Sequence, residues 1–204
     1  MWWRPHPSPS HLMGEGWGGG DTLFHAIQDR SQRDTSRGNS EMPESEDRPL
    51  DGGCTCGAVR YRLATGPLFV HCCHCRWCQR ETGSAFVLNA MIEAERVTLL
   101  KGTPEVVDTP SASGKGQRIA RCPSCRVALW STYAGAGEAI RFVRVGTLDE
   151  PDHLPPDIHI FTSSRQPWVL LPSETPAVAE YYDRRDYWPA ESLERRRRLL
   201  DRPS

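Results

Sequence analysis

The chain's candidate chemistry is concentrated in its cysteines. All eight lie between Cys54 and Cys125, grouped as Cys54/Cys56, Cys72/Cys73/Cys75/Cys78 and Cys122/Cys125. Thiols that serve as single buried or reactive groups would scatter, whereas chelating ligands come in close pairs. Cys122-Pro123-Ser124-Cys125 is a C-x-x-C pair, the spacing at which a tight turn brings two sulfurs to one side. A redox C-x-x-C would need a helix after its first cysteine and a βαβ setting; here strand-like Val127 and Leu129 follow. Cys54-Thr55-Cys56 also puts two sulfurs on one side, since residues two apart in an extended chain face the same way. Gly52, Gly53 and Gly57 around it permit close backbone turns. Each pair is half of a tetrahedral four-thiolate zinc site, and together they would make a closed, structural staple.

The central run His71-Cys72-Cys73-His74-Cys75-Arg76-Trp77-Cys78 differs. Cys73, Cys75 and Cys78 can grip one metal with three thiolates. Three protein ligands plus an exchangeable position is how catalytic zinc is held, able to polarise a carbonyl or to activate a thiol. Spacing alone leaves a closed site, with Cys72 or His74 as fourth ligand, equally open, and an iron–sulfur cluster remains a further alternative. His71 and His74 fit ligand, supporting or plain loop roles. His159, between Ile158 and Ile160, reads as a hydrogen-bonded core or wall histidine, and Trp130 and Trp168 read as packing residues.

These residues need elements to position them, and the pattern from Gly52 onward is β. Val59, Tyr61 and Leu63 alternate with arginines, Phe86, Leu88, Ala90 and Ile92 alternate again, and Val97 and Leu99 continue the pattern. Val127/Leu129, Ile140/Phe142/Val145 and Ile158/Ile160 supply further extended runs, separated by turn signals such as Thr65-Gly66-Pro67 and Lys101-Gly102-Thr103-Pro104. Short strands at close spacing with no amphipathic helix between them predict an all-β, antiparallel fold.

Residues 1–50 form an N-terminal extension rich in Gly, Pro and polar residues, without hydrophobic period, and read as disordered. Met42, shortly before the patterned region, is the expected start of translation. Residues 51–172 form the zinc domain. Residues 173–204 form a tail, with a short helix expected from Ala190 to Leu200 and Arg195–Arg198 largely solvated on it.

A formal net charge of -1 gives no general field for nucleic acid or membrane surfaces. No apolar run approaches the ~18–20 residues that span a bilayer. The first twenty residues lack the apolar stretch of a signal peptide, so a cytoplasmic location is expected, where disulfides rarely persist. Thiolate ligands then favour zinc.

Several segments together resemble the glutathione-dependent formaldehyde-activating enzyme family, which includes centromere protein V. They are Gly52-Gly53-Cys54-Thr55-Cys56-Gly57-Ala58-Val59-Arg60-Tyr61, Cys73-His74-Cys75-Arg76-Trp77-Cys78-Gln79-Arg80, Gly83-Ser84-Ala85-Phe86 and Arg121-Cys122-Pro123-Ser124-Cys125. Leu129-Trp130, Val145-Gly146-Thr147-Leu148-Asp149, His159-Ile160-Phe161, Ser164-Arg165 and Pro167-Trp168 follow in order. The resemblance implies a β-tent of antiparallel sheets and two zincs per chain. It implies that Cys54, Cys56, Cys122 and Cys125 hold a structural zinc, and that Cys73, Cys75 and Cys78 hold a catalytic one at an open site. The implied activity is carbon–sulfur lyase or synthase chemistry on a thiol–aldehyde adduct, with glutathione and formaldehyde as the family's partners. Arg76 and Arg80 lie near the cluster as counter-charges for an anionic thiol. The chain departs from the pattern at Arg126, where the family has glycine and a modified turn is expected, and at Cys72, which adds a thiol beside the triplet. The competing function is a non-catalytic zinc scaffold that binds a partner.

Overall fold

A computed structural model of the protein describes residues 48–201. The N-terminal extension, apart from its last three residues, and the expected start at Met42 lie outside the described residues.

Among the described residues, ten strands form two sheets. The smaller has the order β1 (Leu50–Gly53), β2 (Arg60–Leu63) and β5 (Val97–Lys101). The larger runs β10 (Ile158–Ile160), β3 (Phe69–Cys73), β4 (Val87–Glu93), β9 (Ile140–Arg144), β8 (Ala128–Tyr133), β7 (Gln117–Arg121) and β6 (Glu105–Thr109). The fold is all-β, as the alternating pattern predicts, and its strand pairs are antiparallel except one. β10 pairs with β3 in parallel, with His159 beside Cys72 and Ile160 beside Cys73. β4 occupies the other side of β3, so β10 fills the edge that remains, and the Asp157 carboxylate accepts from the Val70 N–H at 2.7 Å where it enters.

β2 and the residue before it bury one alternating row: Val59, Tyr61 and Leu63 pack with Val97, Leu129, Trp130 and Val143 in one core cluster. Tyr61 meets Trp130 edge-on at 5.6 Å. Gly52 must be glycine, because a Cβ there would lie 2.7 Å from both the Thr147 carbonyl oxygen and the Tyr61 ring. The alternation underestimates β4, where Val87, Asn89 and Met91, on the face opposite the expected row, are buried as well.

A second core explains this. Phe69, Met91, Ile158 and Ile160 pack beneath Trp188 and the C-terminal helix α2 (Ala190–Leu200). Trp188 stacks on Phe69 at 5.4 Å. Arg195 of α2 grips the buried Glu93 carboxylate with two hydrogen bonds, 3.0 and 2.8 Å, and donates a third to the Gly66 carbonyl. The expectation of a solvated Arg195–Arg198 run therefore holds for Arg197 and Arg198, which bond Glu194, but fails for Arg195. A helix that covers a sheet must turn one face inward, and Arg195 lies on that face opposite a carboxylate. Trp168 departs from expectation in the other sense, being exposed.

One helix lies among the strands where none is expected. α1 (Arg76–Thr82) follows β3 directly, with Cys75 as its N-cap accepting from the Cys78 N–H. Gly83 closes it in the left-handed conformation at φ 65°. Seven residues are too few to show a hydrophobic period, which is why the pattern hides it.

Candidate metal centres and cavity

All eight cysteines are free thiols, and they gather into three groups. Cys54, Cys56, Cys122 and Cys125 place their sulfurs within 4.8 Å of one another. The Cys54–Cys56 and Cys56–Cys122 sulfur separations are 3.5 and 3.7 Å, close to the ~3.8 Å edge of a tetrahedron with Zn–S near ~2.3 Å. The donor set and its spacing fit zinc. Cys54 and Cys56 meet through a turn after β1 rather than through an extended chain: the Gly57 N–H bonds the Cys54 carbonyl at 3.0 Å, with Gly57 at φ 69°. The second pair sits on the turn between β7 and β8. Here Arg126 itself takes the left-handed conformation at φ 64°, its N–H bonding the Cys122 carbonyl at 3.0 Å. The expected modified turn is thus absent; the knuckle is kept, and the arginine carries the strain. Burial works to raise the Cys54 thiol, but the Val59 N–H and the neighbouring thiols outweigh it and bring it to about 6. The Ala58 N–H works to lower Cys56, but hydrogen bonds with the neighbouring thiols outweigh it and push it up to about 11, so a bound cation is what would draw all four into the thiolate form.

Cys73, Cys75 and Cys78 form a separate three-sulfur group, also within 4.8 Å. Cys73 ends β3, Cys75 caps α1 and Cys78 lies in its first turn, so the strand-to-helix junction builds the group. Hydrogen bonds from Cys73 and Cys78 hold Cys75 down to about 2, and the same contact pushes Cys73 up. Three crowded thiols cannot all ionise unaided, whereas a bound cation would draw all three into the thiolate form.

Cys72 does not join them. Successive residues of a strand point to opposite faces, and Cys72 lies with His74 and His159 on the face away from Cys73. There the Cys72 sulfur is 3.5 Å from His74 Nε2, which is 3.0 Å from His159 Nδ1. The notion that Cys72 closes or competes for the three-sulfur site is overturned by this alternation. His159 is a hydrogen-bonded core histidine, as expected.

The three-sulfur group opens into a cavity of 470 Å³. Its apolar wall includes Met91, Ile140, Phe142 and Ile160, and its cations are Lys115, Arg184 and Arg196, with no carboxylate among the lining residues. None of the four cysteines of the first group lines it. His71 does, held by burial down to about 4 and therefore neutral at ordinary pH. Arg76 and Arg80 do not reach this cavity; they line a separate groove with Gln79 and Trp168, because α1 turns them outward. Sequence reasoning missed Lys115, Tyr181, Arg184 and Arg196, which come from a hairpin and from the C-terminal segment. The basic run was a signal for Arg196, but nothing local shows which of its arginines faces inward.

The sequence profile of the family described as glutathione-dependent formaldehyde-activating enzyme matches residues 49–164. The chain belongs to this family. The match contains both the four-cysteine and the three-cysteine groups, while Tyr181, Arg184 and Arg196 lie beyond its end. A search of curated proteins returns no match. A crystal structure of a Rhodobacter sphaeroides protein compares with a TM-score of 0.39 at 18% identity, covering 63% of this chain and 99% of that one. No helix among the described residues is long and apolar enough to cross a membrane.

Proposed function

We propose that this family member is a zinc-dependent carbon–sulfur lyase or synthase acting on a thiol–aldehyde adduct, resembling S-hydroxymethylglutathione synthase. The observation that carries this is the contrast in access: Cys73, Cys75 and Cys78 line a cavity that Cys54, Cys56, Cys122 and Cys125 do not. In this reading each group holds one zinc, the four-cysteine group as a staple and the three-cysteine group with a position for substrate. Zinc bound there would supply a Lewis acid that lowers the pKa of an incoming thiol.

The chain's own residues do the rest. Phe142, Ile140 and Ile160 exclude water around the sulfur, which strengthens every electrostatic contact inside. Lys115, Arg184 and Arg196 give the cavity a positive potential suited to a thiol that carries carboxylates, such as glutathione, beside a small aldehyde such as formaldehyde. In synthesis the C–S bond forms as the thiolate adds to the carbonyl carbon and the oxygen gains a proton; lysis is the reverse. A cytoplasmic, reducing setting fits eight free thiols.

The test is exchange spectroscopy by NMR with S-hydroxymethylglutathione, which measures carbon–sulfur exchange against the uncatalysed background, together with metal content per chain. Exchange no faster than background would sink the lyase reading. A second reading, a zinc scaffold that binds a partner, is favoured by the exposed side chains of Trp168 and Leu170. A scaffold needs no exchangeable site, so there the loss of Cys75 would unfold the chain instead of sparing it.

A further inference from the structure

The reaction develops negative charge on the aldehyde oxygen, and a group must meet it. His71 lines the cavity on the same face of β3 as Cys73, two residues away. It is 2% exposed, and its ring is clamped by Phe69, Tyr181 and Tyr182 with centroids at 5.6, 6.1 and 5.5 Å. The question is which of its nitrogens carries the proton.

Hydrogen-bond directions answer it. Trp188 Nε1 lies 2.7 Å from the Tyr182 hydroxyl oxygen, and His71 Nε2 lies 2.5 Å from the same oxygen. An indole N–H can only donate, so the Tyr182 oxygen accepts from Trp188. The hydroxyl has one hydrogen of its own, and His71 Nε2 is the acceptor it meets among the described residues. Were Nε2 protonated, the oxygen would face two donors and the hydroxyl hydrogen would go unmatched, at a cost of ~1–3 kcal/mol. The ring's proton therefore sits on Nδ1, a nitrogen with no hydrogen-bond partner among the described residues. Of the other polar side chains around the cavity, Asn89 Oδ1 accepts from Arg144, and the Ser111 and Ser113 hydroxyls bond each other.

We propose that His71 is the oxyanion donor of the cavity, presenting Nδ1–H to the substrate's carbonyl oxygen, with Tyr182 and Trp188 as positioning residues that fix its tautomer. The assignment rests on the carbon–sulfur reading above. As the substrate sulfur adds, the C–S bond forms, the carbonyl π pair moves to oxygen, and the His71 N–H stabilises the charge there. The oxygen then takes a proton from water, and the thiol's proton has gone to solvent. The sum is thiol plus aldehyde giving the hemithioacetal, with no further reactant. The donor stands inside the segment shared with the family, whereas both positioning residues lie beyond residue 164, where the family match ends.

Two variants of the full chain separate donor from scaffold. In His71→Asn the amide nitrogen can occupy the place of Nδ1; in His71→Gln the amide reaches the place of Nε2 and leaves Nδ1 empty. With S-hydroxymethylglutathione, His71→Gln is expected to lower kcat by ~10²-fold with KM little changed, the scale of losing one oxyanion donor. His71→Asn should recover most of that loss, with metal content equal to wild type in both. In the wild-type protein, ¹⁵N shifts of the imidazole should show a protonated Nδ1 and a bare Nε2, a readout that needs no turnover. Equal kcat losses in the two variants, an unaffected His71→Gln, or a protonated Nε2 each overturn the donor assignment alone. A wild-type chain without turnover overturns the carbon–sulfur reading and takes the catalytic role with it.

Discussion

The two thiol groups of the shared segment use the same side chain for opposite ends. The four-cysteine group draws its members from two turns 66 residues apart, Cys56 to Cys122, and closes on itself with four sulfurs. The three-cysteine group draws on one strand-to-helix junction, leaves one tetrahedral position unfilled by cysteine, and faces a cavity. The difference teaches that sequence separation, more than cysteine count, decides what a metal does for the fold. A cation that ties distant segments contributes to stability, while one held within the short run from Cys73 to Cys78 can come and go with the fold intact.

The most forceful way to break this comparison is to remove one ligand from each group. Cys122→Ser should leave no stably folded protein. Structural zinc contributes ~10–16 kcal/mol of apparent binding free energy, against a typical net stability of ~5–15 kcal/mol. Circular dichroism and denaturant titration would show it, and a folded variant with two metals would refute the staple. Cys75→Ser should keep the fold, lower metal content from two to one per chain, and reduce kcat by at least ~10²-fold; an unfolded variant would make the two groups equivalent. A mild chelator applied to the wild-type protein should reproduce that split, removing the metal of the open group first.

Acid sharpens the contrast. Buried His71 is held to about 4, below its ordinary 6.5, whereas the four-cysteine group contains no histidine. Between these values the unfolded chain binds a proton that the folded chain refuses. Stability is therefore full above pH 6.5 and falls as pH drops toward 4, by about 3 kcal/mol from this residue. Denaturant midpoints measured from pH 7 to pH 4 should show the slope in the wild type and a shallower one in His71→Asn. The smallest effect expected is at the knuckle. Arg126→Gly removes the left-handed strain of a non-glycine residue but also an exposed ion pair with Glu105, so it should stabilise by no more than ~1 kcal/mol.

Much of this was legible in the residues. The period-two rows show in Val59/Tyr61/Leu63, Leu88/Ala90/Ile92 and Ile158/Ile160, because alternate side chains of a strand share a face, although β4 and β10 turn out to be buried on both faces. The grouping of Cys54/Cys56 with Cys122/Cys125 was inferable because each pair alone leaves a zinc half-coordinated. What stayed hidden depends on long-range placement. α1 is too short for a helical period, β6 carries exposed Val106 without a buried row, and Arg195 reveals its role only opposite Glu93. Tyr182 and Trp188, more than a hundred residues from His71 in sequence, bear no local mark of the tautomer they set.

The position of Cys72 beside Cys73 gives β3 a particular fragility. A strand shifted by one residue exchanges its two faces, so a slip here would present Cys72 to the cavity and carry Cys73 toward His74 and His159. The two thiols are chemically identical, and a metal's affinity cannot tell one from the other. That choice belongs to backbone pairing: the antiparallel ladder to β4, from Phe69–Met91 through Cys73–Val87, and the parallel one to β10. The register of one five-residue strand thus selects which sulfur faces the cavity, and an insertion or deletion within it would rewrite that lining without changing a single residue type.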